Sequence, residues 1–175
     1  MLENAKEFEL EAAVNISQKI MLSGNVTFSQ NKAINFNEYI DDYDQGTQVV
    51  NTYKTSDIAF SPNLIAAGRI SWKPIKGLEF TYQTKYVGRQ FLDNTSRADR
   101  SLNPFCVNDL IASYAFDPKF FKEIRVNFML NNFLNAMYCP NGYTYSFVSG
   151  GSLQTYNYYY PQAGRNFMCG VTFKF

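Results

Sequence analysis

The chain contains no histidine. That removes the side chain that most often serves as general base and as metal ligand near neutral pH. Three cysteines remain, Cys106, Cys139 and Cys169. They lie far apart with no CxxC spacing, which argues against a zinc site, and their odd number argues against a disulfide framework. Charge of one sign is not in excess: 16 Lys and Arg face 15 Asp and Glu, a net of +1. No nucleic-acid partner is therefore expected. No stretch approaches the roughly 20 apolar residues of a membrane-spanning helix, and mean hydropathy is -0.28. There is no Ser/His/Asp set, phosphate loop or metal cluster, so catalytic residues, metal ligands and cofactors are all expected to be absent and the chain is not read as an enzyme. The opening "MLENAKEFELEAAVNI" lacks the charged start and apolar core of a signal peptide. The chain is either cytoplasmic or a piece of a longer exported protein.

What the sequence does have is rings and alternation. Aromatic residues make up 17%, with 13 Tyr and 16 Phe but one Trp, a bias toward β-structure. In the terminal "RNFMCGVTFKF", Phe167, Cys169, Val171, Phe173 and Phe175 share one face, and Asn166, Met168, Gly170, Thr172 and Lys174 the other. A helix would leave Cys169 and Phe173 off its apolar stripe. Cys169 reads as a small apolar residue.

The same period recurs upstream. "EFELEAAVNIS" sets Phe8, Leu10, Ala12, Val14 and Ile16 against Glu7, Glu9, Glu11 and Asn15. A break at Gln18-Lys19 and "MLSGNVTFSQN" complete a hairpin. "LIAAGRISW", "LEFTYQTKYVGRQF", "FCVNDLIASYAF" and "IRVNFMLNN" are further strands. Asn108 spoils the alternation of the fifth. About seven strands are expected, as an all-β, antiparallel up-and-down meander.

Short turns fall near residues 18–20, 73–77 and 117–122, and long loops near 32–62, 90–104 and 133–160. In a meander, alternate connections lie at the same end of the sheet. Sorting all short turns to one end and all long loops to the other is the asymmetry of an outer-membrane barrel. The apolar faces span about nine to eleven residues, enough for a tilted strand to cross a bilayer. On that reading the polar residues Glu7, Glu9, Glu11, Glu79, Gln83 and Lys85 face a hydrated lumen, and outer-membrane lipid is a partner. A soluble ligand-binding β-barrel and a small complete outer-membrane barrel of structural or adhesin type are the alternatives.

Tyr143, Tyr145, Tyr156, Tyr158, Tyr159 and Tyr160 sit in or beside the last long loop. They read either as extracellular ligand contacts or as an interfacial girdle with loop packing. Glu38, Asp41, Asp42 and Asp44 lack the spacing of a calcium loop and read as a solvated acidic loop. Arg165 reads most plainly as half of an ion pair with a neighbouring strand, the alternative being a lumen or plug contact.

"IRVNFMLNNFLNAMY" resembles the strand and "NLFN..Y" element before the last extracellular loop of TonB-dependent outer-membrane receptors, through Asn132, Phe133, Leu134, Asn135 and Tyr138, with the two middle apolar residues exchanged in order. "YYPQAGRNFMCGVTFKF" resembles their closing strand in Bacteroidetes-type bacteria, through Tyr160, Pro161, Gly164, Arg165, Phe167, Gly170 and Phe175. The resemblance implies that residues 1–175 are the C-terminal segment of a 22-stranded transmembrane barrel, without signal peptide, plug or TonB box. It implies a receptor for active uptake of an iron chelate, a vitamin or a glycan in the cell outer membrane of a Gram-negative bacterium. Phe167, Val171, Phe173 and Phe175 would form the signal read by the barrel assembly machinery. The TonB complex would act only through a plug outside this chain, and a surface lipoprotein would be a further partner.

Overall fold

Alternating sequence becomes alternating structure. The computed structural model describes residues 2–175, with twelve strands and no helix among them. The wall of the fold is a meander of antiparallel neighbours: β1 (Leu2–Ser17), β2 (Ile20–Asp42), β4 (Leu64–Trp72), β5 (Leu78–Val87), β8 (Phe105–Phe116), β9 (Glu123–Asn131) and β12 (Asn166–Lys174). The sheet curls into a half-barrel.

The expectation of about seven strands is too low for the whole chain, because the long loops are themselves folded. β2 runs on past the wall for a further turn-bounded hairpin with β3 (Thr47–Asp57). The segment after β5 holds a short pair, β6 (Gln90–Phe91) and β7 (Ser101–Leu102). The last loop is the hairpin β10 (Asn141–Ser149) and β11 (Ser152–Tyr160). Polar Asn, Thr and Tyr hide these strands from a hydropathy reading, since a solvated hairpin needs no apolar face.

Register keeps the two faces of the wall separate. Trp72 pairs with Phe80, Ile70 with Tyr82, and Phe80 with Ala112, so apolar rings form one continuous surface. The opposite face pairs Ser71 with Thr81 and Arg69 with Gln83. Exposure identifies the convex side. Trp72 is 47% and Phe80 41% exposed, while the much smaller Ser71 and Thr81 are 8% and 4% exposed and share a 3.2 Å hydrogen bond. Side chains crowd on the inside of a curve and splay on its outside. The apolar face is therefore outside and the polar face lines the hollow.

Asn108, which interrupts the apolar face, is buried and accepts a 2.6 Å hydrogen bond from the Tyr82 hydroxyl. A ring on the same face thus satisfies the stray amide.

The buried apolar residues are Ala33, Ile40, Val87, Leu92 and Leu102. All lie at the end of the sheet where β2 and β3, the β6–β7 segment and β10 and β11 gather. Those in wall strands, Ala33 and Ile40 of β2 and Val87 of β5, lie at that end, and the rest of the wall has no such core among the described residues. β1 and β12 each pair along one edge only.

Candidate functional site

Three hairpins from separate places in the chain fold together into a cap at the mouth of the hollow. Arg100 lies at its centre, 1% exposed. Its Nη1 donates to the Glu38 carboxylate on β2 and, at 2.9 Å, to Asp93. Glu38 also accepts from the Tyr53 hydroxyl of β3 at 2.9 Å. Burial works to raise the Glu38 pKa, but the bonds from Arg100, Tyr53 and Asn51 outweigh it and hold the carboxyl below its ordinary value. Burial likewise opposes the Arg100 charge, and Glu38 and Asp93 more than restore it. The Tyr53 pKa is raised, by burial first and then by its bond to the Glu38 carboxylate. Nearby, Lys32 pairs with Asp57 at 2.5 Å, and Asp57 accepts from Ser96 at 2.9 Å. Loop and hairpin are bonded as one body.

The acidic stretch is more than a solvated loop, which corrects that expectation. Each carboxylate has its own task. Glu38 binds Arg100, and Asp41 accepts from Gln48 at 2.8 Å. Asp42 is 7% exposed and turns the chain by accepting the amides of Asp44 and Gln45. Asp44 accepts the amides of Gly150 and Gly151 at 3.0 and 2.8 Å. Those two bonds, Gly151 first, lower the Asp44 pKa. They pin the tip of the β10–β11 hairpin to the tip of the β2–β3 hairpin. A parallel bridge of Phe147 and Val148 with Asp41 and Asp42 runs beside them. The hydroxyls of Tyr43 and Tyr145 meet at 2.6 Å, which, ahead of burial, raises the Tyr145 pKa.

Five of the six tyrosines read as ligand contacts or girdle, Tyr143, Tyr145, Tyr156, Tyr158 and Tyr160, share one face of that hairpin. Cross-strand pairing puts Tyr143 opposite Tyr158 and Tyr145 opposite Tyr156. Tyr143 and Tyr158 stack at 4.7 Å and 14°, and Phe147 and Tyr156 at 6.0 Å and 13°. Rings stacked on one another spend their flat faces on their neighbours and turn edges and hydroxyls outward. Tyr159 is on the opposite side, where its hydroxyl reaches Ser101 O at 3.5 Å.

Where the chain leaves β9 for this hairpin, Asn132 and Asn135 take positive φ angles of 49° and 56°. Asn132 is 3% exposed; its amide accepts from the Ala136 N–H at 2.8 Å and donates to Ala136 O at 2.9 Å. Asn135 accepts from the Arg165 N–H at 2.9 Å. A Cβ on Gly164 would come within 2.7 Å of that same Asn135 oxygen. These residues shape a turn. Arg165 makes no ion pair among the described residues, contrary to that expectation for it, because its backbone and not its guanidinium is engaged.

The polar residues Glu11, Asn25, Arg69, Gln83, Lys85 and Asp109 come from five neighbouring strands and line a trough of about 360 Å³ on the concave face. Glu79 lies toward the short-turn end, beside Lys73 at 3.7 Å. Glu7 and Glu9 stand opposite Ser29 and Thr27, on the same side of β1 as Glu11. Phe173 of β12 and the terminal Phe175 flank Phe121 of the β8–β9 turn at 5.4 and 5.1 Å, and Phe167 of β12 stacks on Phe128 of β9 at 6.2 Å. Val171 stands 53% exposed between them.

Arg100 and Asp93 escaped the sequence reading, and Asn132 entered it only through the motif it resembles, not through its role in the turn after β9. The partners of Arg100 are up to 62 residues away, and nothing local marks it or Asp93. No protein-family model matches the chain, and no curated protein matches it significantly.

Proposed function

We propose that the chain is the C-terminal part of the wall of a TonB-dependent outer-membrane receptor, a 22-stranded barrel for active nutrient uptake. The observation that carries this reading is the inverted wall. Its rings are on the convex side, half exposed, and its small polar residues are on the concave side, buried. In water such a surface would invite aggregation; against lipid it is the expected one. β4, β5, β9 and β12 have nine or ten residues, the length that crosses a bilayer when tilted.

Strand direction supports the larger barrel. Every wall neighbour is antiparallel, and β1 and β12 both run toward the short-turn end. Closing them by antiparallel pairing takes an odd number of further strands, which a 22-strand total supplies. The apolar run from Phe167 to Phe175 then serves as the assembly signal. The Tyr143–Tyr158 face serves as an interfacial girdle, since its rings are occupied with one another.

Cysteine accessibility tests the reading. In a chain whose three cysteines are replaced by serine, single cysteines are placed from Ile124 to Asn131. Charged, water-soluble maleimide should label Arg125→Cys, Asn127→Cys and Met129→Cys, and spare Val126→Cys and Phe128→Cys. Uniform labelling of both sets in membranes would refute it.

A further inference from the structure

We propose that a cavity between the cap and the wall is a binding site for a small uncharged molecule, or an uncharged part of one, with a flat apolar ring. The cavity has a volume of about 410 Å³, within the usual range of ligand pockets. Its lining runs from Leu102, 1% exposed, to Met137, 78% exposed. Tyr138, Tyr159, Pro104 and Pro161 also line it.

No charged side chain lines it. Of the charges in the adjoining segment, Arg97 pairs with Asp99, and Arg100 pairs through Nη1 with Glu38 and Asp93; none of them lines the cavity. An anionic or cationic ligand would therefore lose its hydration with no counter-charge to meet it. The polar groups that do line it, Ser101, Asn103 and the Cys139 thiol, are neutral and suit a hydroxyl or amide on the ligand.

The cavity is held in shape before any ligand arrives. Tyr138 stacks on Phe105 at 4.4 Å, and its carbonyl accepts from the Gln162 N–H at 3.0 Å. Asn157 donates to Asp99 O at 2.6 Å, tying β11 to the segment that carries Leu102. Phe105 belongs to the concave side of β8, in register with Asp109 of the trough, so the cavity sits where a solute entering the hollow from the cap would pass.

The inference rests on the uptake reading and names the chemistry first held at the mouth. Its test is independent of transport. A full-length chain with Cys106→Ser and Cys169→Ser keeps Cys139 as its one thiol, and its alkylation by monobromobimane is timed. The probes are naphthalen-2-ylmethanol and naphthalene-2-sulfonate, one flat fused-ring system without and with charge. The alcohol should slow labelling saturably, by at least about fivefold, and the sulfonate should not. Tyr159→Ala should abolish most of the protection. Its labelling rate without probe reports whether the cap is still folded. A chain whose one thiol is Cys106, on the convex face, should show no protection. Equal slowing by both probes, slowing at Cys106, no slowing at all, or protection that survives Tyr159→Ala would each overturn the proposal. Failure here with the alternating accessibility of β9 intact would leave the receptor reading standing.

Discussion

Replacing Arg100 by methionine should open the cap without unfolding the wall. Arg100 is 1% exposed, and the side chains of Glu38 and Asp93 are 12% and 22% exposed. Removing one partner of a fully buried pair costs about 3–5 kcal/mol, because the remaining charge is stranded. Here both carboxylates keep an edge in water and can rehydrate, so about 2–3 kcal/mol is the expected cost. At about 1.4 kcal/mol per factor of ten, cap opening should become roughly 30- to 150-fold more frequent. Native-state hydrogen exchange on peptides covering residues 88–104, compared with peptides from β8 and β9, reads this directly. Adding Glu38→Gln and Asp93→Asn to Arg100→Met should restore part of the protection, since no charge is then left unpaired. Exchange unchanged within about threefold, or equally faster in β8 and β9, would refute the claim that this triad holds the cap locally.

The other expectations follow from the same geometry. Because the folded Glu38 pKa is depressed, its contribution is full above the ordinary carboxylate value and is lost as pH falls through the folded one, so the cap's protection factors, corrected for the intrinsic exchange rate at each pH, should be flat near neutrality and fall only in acid. Asp44→Asn should speed exchange of the Gly150 and Gly151 amides and leave the Arg100 region untouched, since the two contacts share no partner. Gly142→Ala should detach the last hairpin, because a Cβ there would lie 2.4 Å from Tyr158 O; proteolysis between β10 and β11 should report it. Asn132→Ala should cost roughly 2 kcal/mol, since it strands the Ala136 amide and puts alanine at positive φ; thermal unfolding of the folded chain checks it.

How much of this was legible depended on where the partners lay. The wall was read well because its signal is local. "LIAAGRISW" coincides with β4, and "FCVNDLIASYAF" with β8, residue for residue. The hairpins in the loops were missed because Thr, Tyr and Asn alternate there without an apolar face. Residues 32–62 read as a long polar loop, yet β2 continues to Asp42 with Tyr39 opposite Val50. The cap escaped for a different reason. Arg100 looks like any surface arginine until the β2–β3 hairpin brings Glu38 to it. The tyrosine face was legible as a cluster, but which rings stack and which one turns away to Ser101 depends on cross-strand register. Sequence alone does not supply that register.

Trp72 offers the most direct test of the central claim. It is the one tryptophan in the chain, it stacks on Phe80 at 5.7 Å, and it stands 47% exposed on the convex face. The chain would be folded into bilayers of phospholipid brominated along the acyl chains and its fluorescence compared with that in unbrominated bilayers. A wall that faces lipid predicts strong quenching and blue-shifted emission, whereas unquenched, red-shifted emission from a folded chain would mean that the ring surface faces water or protein.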